Sequence, residues 1–296
     1  MADNINDVIG QIIHGDNVQV LSHWNNACID LTITSPPYDG LRDYHKDAVW
    51  NLETFKAIAH QLFRITKDGG VVVWVVGDSV SKGNKSLTSF RQALYFQEIG
   101  FSMFDVIIYE KAGTAPPHKN RYFNAFEYMF ILSKGQPKTI HLLTDKPNKW
   151  ANYTTFGNVT RREQDGTLTS KGKKTINSFG VRTNIWRYNN GRGFATKDEI
   201  AYLHPAIFPE QLAQDHILSW SNEGDIVLDP FCGSGTVMKM ARALNRRWVG
   251  VEVSEEYCQI ARKRIGIGAV NVENTVDRNF VKRPSPCTEL SLFLTT

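Results

Sequence analysis

One stretch of the chain identifies its architecture: residues 226–236 read Ile226-Val227-Leu228-Asp229-Pro230-Phe231-Cys232-Gly233-Ser234-Gly235-Thr236. A short apolar strand ends on Asp229, passes through a turn with two glycines, and leads into sequence typical of an amphipathic helix. Gly233 and Gly235 allow the backbone to approach a ligand closely, and a helix that begins there offers unsatisfied N–H groups. The stretch therefore predicts a ligand site at the carboxyl edge of a parallel β-sheet.

A second acidic residue, Glu252, lies near the end of the next predicted strand, residues 248–253. An acid at this place can accept hydrogen bonds from ribose hydroxyls, as it does in dinucleotide-binding folds. Asp229 distinguishes a dinucleotide from a cationic ligand, because an acid repels a pyrophosphate and attracts a cation. S-adenosylmethionine carries a sulfonium and an ammonium group at its amino-acid end, so the pattern favours this cofactor over NAD.

A second motif, Thr34-Ser35-Pro36-Pro37-Tyr38, directly follows a predicted buried strand. The prolines remove N–H donors and leave rigid carbonyl acceptors, Ser35 adds an acceptor hydroxyl, and Tyr38 offers a flat face for stacking. An aromatic amine is a poor nucleophile because its lone pair is delocalised into the ring. Two acceptors that hold its N–H groups would direct that lone pair at a methyl donor. A plain proline-rich turn is the alternative, and it is disfavoured because the Asp229 motif occurs in the same chain.

The rest of the first 135 residues alternates short apolar runs with amphipathic stretches, which is typical of an α/β fold with a parallel sheet. Helices are predicted at residues 55–65 and 89–99, and strands at residues 71–76, 104–110 and 128–132. The run at 71–76 is continuously β-branched or aromatic, which predicts a central strand covered on both faces.

The segment from Lys134 to Gly193 is strongly basic, with twelve Lys and Arg residues against three acidic ones, whereas the whole chain has a net charge of +4. Aromatic residues are interleaved with these bases. Such a concentration of charge indicates a phosphate-binding surface, with a solvated Lys-rich loop as the alternative.

Composition excludes several other classes of protein. The N-terminus has no signal-peptide pattern, and apolar runs are too short for a membrane span, so we expect a cytoplasmic protein that contacts no membrane. The four cysteines form no CxxC pair, which indicates a reducing compartment. The eight histidines form no HxH or HExxH spacing, so no metal site is expected.

The pair of motifs resembles the amino-methylating DNA methyltransferases of bacterial restriction–modification systems. The catalytic motif precedes the cofactor motif, which is similar to the order of the family's beta class. The resemblance implies a Rossmann-like S-adenosylmethionine methyltransferase sheet, circularly permuted, with one antiparallel strand at its edge and an inserted target-recognition region. The implied division is residues 1–134 for the catalytic half, 135–203 for target recognition, 204–265 for the cofactor half and 266–296 for a C-terminal extension.

The resemblance also implies roles for individual residues. Residues 204–210 resemble the element that encloses the methionine end of the cofactor, and Gly15-Asp16 resembles the element that meets its adenine. The implied cofactor-binding residues are Asp16, Phe208, Asp229, Phe231, Gly233, Gly235 and Glu252, and the implied catalytic residues are Ser35, Pro36, Pro37 and Tyr38. The target base must leave the duplex, because its amino nitrogen is otherwise engaged in pairing. Transfer is then a direct displacement without a covalent enzyme intermediate.

Double-stranded DNA is the expected partner. Candidate DNA contacts are Lys119, Arg121, Arg182, Arg187 and Arg192. Relatives often dimerise, so the extension at 266–296 is a candidate homodimer contact. The sequence carries no signal for or against a restriction endonuclease partner. The resemblance implies a bacterial or phage-encoded protein.

The target base is the least determined feature. A serine before Pro-Pro slightly favours cytosine-N4, with adenine-N6 as the alternative by the same mechanism. RNA or protein-amide methylation, an NAD-dependent oxidoreductase and a non-catalytic DNA-binding regulator are more distant alternatives. Cys232 belongs to the cofactor strand, so a nucleophilic role for its thiol is not expected.

Overall fold

The computed structural model describes residues 4–37, 50–113, 120–154, 160–170 and 172–266. Tyr38 and Lys119, two of the residues expected to act on the base or on DNA, lie outside the described residues. The same holds for residues 267–296, which make up nearly all of the expected C-terminal extension.

The described residues form one large sheet with helices on both faces. Its strands are β1 (Ile12–His14), β2 (Ile29–Thr34), β3 (Thr66–Val76), β4 (Ser102–Lys111), β5 (Phe126–Ser133), β6 (Ile185–Tyr188), β7 (Ile226–Asp229) and β8 (Arg247–Glu252). The α-helices are α1 (Asn17–Ser22), α2 (Leu52–Ile65), α3 (Thr88–Glu98), α4 (Glu210–Trp220), α5 (Thr236–Ala243) and α6 (Glu255–Gly266). None of these helices is both long enough and apolar enough to cross a membrane.

The strand order is β1-β8-β7-β2-β3-β5-β4-β6. Strand β7 comes late in the chain but pairs in parallel with β2, with Val227 opposite Leu31 and Leu228 opposite Thr32. This pairing places the carboxyl ends of the two motif-bearing strands side by side. The permuted order of the motifs along the chain therefore still produces a single site at one edge of the sheet.

The antiparallel strand is β5, and it lies between β3 and β4 rather than at the edge that the resemblance implied. The described residues between β4 and β5, 112–113 and 120–125, form no helix, and a connection of that kind suits an antiparallel pair. The edge position is taken by β6, which pairs in parallel with β4 from Ile185 opposite Ile108 to Tyr188 opposite Lys111.

Two apolar clusters, one on each face of the sheet, form the core. In β3 the side chains of residues 71–76 are all buried, and they alternate between two apolar clusters. Val71, Val73 and Val75 pack with residues of α4, α5 and α6, whereas Val72, Trp74 and Val76 pack with residues of α1, α2 and α3. This arrangement is the α/β fold that the apolar runs predict.

The basic segment has little regular structure of its own. Two short antiparallel ladders form there, Lys146–Pro147 with Phe179–Gly180 and Thr160–Arg162 with Leu168–Ser170. The range expected to be an insertion also supplies β6, because Ile185–Tyr188 joins the main sheet. The segment is thus anchored to the main sheet by a strand, while its ladders are largely exposed.

Candidate active site

A single pocket at the carboxyl ends of β1, β2, β7 and β8 brings both motifs together. Its volume is about 1200 Å³, including the part that is open to solvent. Of the residues predicted from the sequence, the pocket is lined by Asp16, Ser35, Pro37, Phe208, Asp229, Phe231, Gly233 and Glu252. Pro36 is buried beside them, and Gly235 lies behind the lining as the N-cap of α5.

A buried hydrogen bond joins the two motifs. Thr34 Oγ1, at the end of β2, donates to Asp229 Oδ1 at 2.7 Å, and both residues are almost fully buried. The backbone N–H of Phe231 donates to the same carboxylate oxygen at 3.1 Å. Burial and, to a smaller extent, the charge of Glu252 raise the pKa of Asp229 to about 7, although both hydrogen bonds act to lower it. A cation placed near this carboxyl would favour its ionised form.

The glycine turn is held by Glu252 from the neighbouring strand β8. Glu252 Oε2 accepts from the Gly233 N–H at 2.9 Å, and Oε1 accepts from the Ser254 N–H at 3.0 Å. Gly233 has a φ of +49° and Gly235 has a φ of +78°, in the left-handed region that L side chains rarely adopt. A Cβ at Gly233 would lie 2.8 Å from His204 Nε2, and one at Gly235 would lie 2.9 Å from the Ala261 Cβ. Both positions therefore require glycine.

The opposite wall of the pocket comes from residues 204–208. The 3-10 helix Glu199–Leu203 leads into His204, whose Nδ1 accepts from the Ala206 N–H at 3.1 Å. The His204 ring packs edge-to-face on Tyr257 of α6 with ring centroids 4.4 Å apart. Phe208 lines the same wall. The sequence element that was expected to enclose a cofactor thus faces the glycine turn.

Asp16 reaches the pocket from the far edge of the sheet. Strand β1 pairs in parallel with β8, with His14 opposite Glu252. Asp16 then caps α1 by accepting from the Gln19 N–H at 2.9 Å, and Asn17 Nδ2 donates to the Pro230 carbonyl at 3.1 Å. The loop after β1 is therefore tied to the loop after β7.

Trp50, Thr54 and Tyr257 are among the pocket residues that the sequence did not predict. Trp50 lies just before α2, and Thr54 lies in its first turn. The Trp50 ring packs edge-to-face on the Phe231 ring, with ring centroids 5.3 Å apart. Tyr257 lies in the first turn of α6. Of these residues, Tyr257 could have been predicted from the sequence, because it lies at the start of the helix that directly follows the strand ending at Glu252. Trp50 reaches the pocket through tertiary packing alone.

The environment of the Cys232 thiol does not favour a nucleophilic role. It is fully buried, and burial first, followed by the charges of Asp229 and Glu252, raises its pKa well above the usual value. A protonated, buried thiol is a poor nucleophile. This supports the view that Cys232 only packs within the cofactor strand.

The arginines expected to contact DNA lie outside the pocket and differ in exposure. The Arg182 guanidinium is largely buried, pairs with Asp145, and donates from Nη1 to Asp215 Oδ2 at 2.6 Å. This internal network does not fit the expected DNA contact, because the donors of Arg182 are engaged within the fold. Arg187 is half exposed and lies 3.8 Å from Glu110, and the more exposed Arg192 lies 2.5 Å from Glu199. Arg121 is exposed and donates to the Gly83 carbonyl.

Comparison with known proteins agrees with this geometry. The model of a family described as DNA methylase, comprising N6- and N4-methyltransferases, matches residues 29–263. The chain belongs to this family. The orphan methyltransferase M.BamHII of Bacillus amyloliquefaciens is 56% identical over 241 residues, which are 81% of this chain and 89% of that protein.

Solved structures share the fold of this methyltransferase. The PvuII DNA methyltransferase, described as cytosine-N4-specific, has a TM-score of 0.64 at 20% identity and covers 91% of this chain and 94% of its own. The complex of M1.HpyAVI with S-adenosylmethionine has a TM-score of 0.57 at 22% identity, with 86% and 98% covered. The predicted fold class and family are therefore confirmed. The protein is a DNA amino-methyltransferase, and the cofactor of its family is S-adenosylmethionine.

Proposed function

We propose that the pocket holds S-adenosylmethionine between the glycine turn and the 204–208 wall, and that a target base enters at Ser35–Pro37. The observation that carries this proposal is the 2.7 Å hydrogen bond from Thr34 to Asp229. Because Ser35 follows Thr34 in the chain, this bond supports a position of the proposed amine acceptor close to the proposed cofactor acid. The methyl donor and the amine would then meet in one cavity.

The residues of the pocket fit this cofactor. Asp229 supplies a buried carboxyl suited to a cationic ligand end, and Gly233 leaves room that a Cβ would fill. Glu252 lines the pocket at the end of β8, and its carboxylate is the acceptor that this proposal assigns to the ribose hydroxyls. Asp16 and Phe208 stand at the adenine and methionine ends in this assignment. When bound, the cofactor supplies an electrophilic methyl group.

The catalytic motif acts by holding the amine. The Ser35 hydroxyl and the Pro36 carbonyl accept the two N–H groups of the exocyclic amine, which directs the nitrogen lone pair at the methyl group. Tyr38 stacks on the flipped base in this proposal. No covalent enzyme intermediate is required, since the amine attacks directly. Ser35 slightly favours cytosine-N4 as the target, and adenine-N6 is the alternative.

The exposed basic segment is the proposed reader of double-stranded DNA. Arg161 and Arg162 lie on an exposed ladder, and Lys173 is exposed nearby in the sequence. Trp150 is 62% exposed, so the surface also offers an aromatic face. We retain Arg121, Arg187, Arg192 and Lys119 as candidate DNA contacts and omit Arg182. Phosphate binding by such residues is sequence-independent and positions the protein on the duplex.

The remaining partners are also proposals. The relative at 56% identity is named an orphan methyltransferase, which supports a role for this chain without a paired restriction endonuclease. The homodimer implied by the resemblance stays a prediction. We also propose a cytoplasmic location, because the genomic DNA of a bacterial cell lies there.

Replacement of Ser35 by alanine tests the proposal. Turnover should fall by on the order of 100-fold, because one of two acceptors for the amine is lost. The affinity for S-adenosylmethionine should stay within about twofold, because no cofactor contact is assigned to this hydroxyl. Labelled methyl transfer to DNA and calorimetric cofactor binding measure the two effects.

Ser81→Ala is the matched control, since Ser81 is an exposed serine outside the pocket. An equal loss of turnover and cofactor affinity in Ser35→Ala would contradict the role assigned to Ser35. Base-resolved sequencing of DNA from cells that express the enzyme identifies the target base. Methyl transfer to RNA or protein, with none to DNA, would overturn the proposed substrate.

A further inference from the structure

Four charged side chains form a buried cluster behind the pocket, which we call the charge cluster: Asp198, Glu210, Lys239 and Arg264. Lys239 Nζ lies 2.7 Å from Asp198 Oδ2 and 2.8 Å from Glu210 Oε1. Arg264 donates from Nε to Asp198 at 3.1 Å and from Nη2 to Glu210 at 2.9 Å. Two cations are therefore matched by two carboxylates.

The two carboxylates of the charge cluster bracket one wall of the pocket. Asp198 immediately precedes the 3-10 helix Glu199–Leu203, and Glu210 begins α4. The residues between them include His204 and Phe208, which line the pocket. Because Arg264 and Lys239 each contact both carboxylates, they hold both ends of this wall against α5 and α6.

Arg264 makes a further set of contacts, with the glycine turn. Its Nη1 donates to the Ser234 carbonyl at 2.7 Å and lies 2.9 Å from Ser234 Oγ and 3.1 Å from Thr236 Oγ1. The arginine side chain is completely buried. Its forked guanidinium therefore contacts the two carboxylates that flank the wall with Nε and Nη2, and the turn with Nη1. A lysine has one ammonium group and cannot reproduce this fork.

The turn and the wall also touch each other inside the pocket. A Cβ at Gly233 would lie 2.8 Å from His204 Nε2, so these two surfaces are already in close contact. A small shift of either surface would change the space between them. The element that fixes their separation lies outside the pocket, because Arg264 is not among the lining residues.

We propose that Arg264 is a positioning residue that sets the separation of the glycine turn from the 204–208 wall and thereby sets the affinity for the cofactor. The proposal rests on the cofactor placement proposed above. Arg264 reaches the cofactor only through Ser234, Thr236 and the two carboxylates. Its loss therefore weakens cofactor binding and leaves the chemistry at saturating cofactor nearly unchanged.

The test compares two buried arginines. Arg264→Lys should raise the KM for S-adenosylmethionine by roughly tenfold, with kcat at saturating cofactor and the KM for DNA within about twofold of wild type. Arg246→Lys is the control, because the buried Arg246 donates to Ser221 and to the Leu244 carbonyl, away from the glycine turn and the 204–208 wall. Both variants should lower Tm, since each disturbs a buried guanidinium.

If Arg264→Lys does not fold, the double variant Ser234→Ala/Thr236→Val replaces it. This variant keeps all four charges paired and removes two of the acceptors that connect Arg264 to the turn. It should raise the same KM. An unchanged KM in the variant that folds, or an equal rise of KM in Arg246→Lys, would overturn the proposal.

Asp229→Asn separates this proposal from the cofactor placement. If Asp229→Asn weakens cofactor binding and the Arg264 variants do not, only the positioning role fails. If Asp229→Asn leaves cofactor binding unchanged, the placement of the cofactor in this pocket fails first.

Discussion

The cofactor pocket and the basic segment use charged residues in opposite ways. In the charge cluster behind the pocket the charges are largely buried and matched, as in the pairing of Arg264 with Asp198 and Glu210. In the basic segment Arg161 and Arg162 lie exposed on a two-stranded ladder. Buried charges must be paired because desolvation is costly, and they therefore fix geometry. Exposed charges keep their hydration and are suited to an anionic partner.

Arg182 shows that a position in the basic segment does not decide whether a charge is exposed or is buried and paired. It belongs to the basic segment, yet its guanidinium pairs with Asp145 and Asp215 and lies 5.0 Å from the Trp186 ring centroid. Asp215 is on α4, so this arginine links the segment to the helical layer. A residue that looks like a DNA contact in the sequence is a structural anchor in the fold.

The largest effect is expected from a substitution in the glycine turn of the pocket. Gly233→Ala should weaken cofactor binding by on the order of 100-fold, because overpacking and a left-handed backbone each cost about 1–3 kcal/mol. The added Cβ would meet His204 at 2.8 Å. Isothermal titration calorimetry measures the loss.

Gly224→Ala is the control for backbone strain alone. Gly224 has a φ of +81°, but a Cβ there would meet nothing within 4 Å. This variant should lose about 1 kcal/mol of stability and bind the cofactor normally. Wild-type cofactor affinity in Gly233→Ala would mean that the glycine turn and the 204–208 wall do not enclose the ligand.

A smaller effect follows from the titration of Asp229. Its folded-state pKa is about 7, above the usual value of 3.8, so the neutral carboxyl must ionise when a cation binds. Cofactor affinity should rise by roughly tenfold between pH 6 and pH 8. Asp229→Asn should remove this part of the pH dependence, which calorimetry at several pH values can measure. A profile that is the same in both proteins would exclude Asp229 as the group responsible.

The same shift predicts how the stability of the cofactor-free protein depends on pH. Because the folded pKa is raised, the contribution of Asp229 to stability is fully present below pH 3.8 and is lost as pH rises through about 7. Bound cofactor should reduce this loss. The increase in Tm on cofactor addition should therefore be larger at pH 8 than at pH 6, and an increase that shrinks with pH would contradict the assignment.

The smallest effect is expected in the exposed segment. The double variant Arg161→Ala/Arg162→Ala should weaken DNA binding several-fold and reduce the slope of log affinity against log salt by roughly 2. Cofactor affinity and Tm should stay near wild type, because both side chains are exposed. Lys56→Ala, at a partly exposed position of α2, controls for the loss of positive charge. An unchanged salt slope would place the DNA elsewhere.

Local patterns predicted most of the elements that build the site. The strand expected at 71–76 is the buried part of β3, and the helix expected at 55–65 is most of α2. Strands β4 and β5 extend the expected strands by one or two residues at each end. Alternation of apolar residues and the position of glycines are local properties, so the sequence reveals them directly.

Pairings between distant strands could not be predicted as well from the sequence. The antiparallel strand lies inside the sheet, and residues 185–188 of the basic segment form its edge. Neither fact has a local signature, because a short apolar run is equally compatible with several neighbours. The same holds for Trp50, which reaches Phe231 only after α2 has packed on the sheet.

The sequence by itself determined the family, the two motifs, and the residue types that could hold a cofactor and an amine. Those conclusions depend on residues that are neighbours along the chain, such as Asp229 with Gly233 and Gly235. Only the tertiary structure decided that Thr34 bonds to Asp229 across 195 positions, that Arg182 is an internal anchor, and that Arg264 supports the pocket from behind. Burial and pairing of a charge depend on which distant elements pack around it, and no local pattern specifies that.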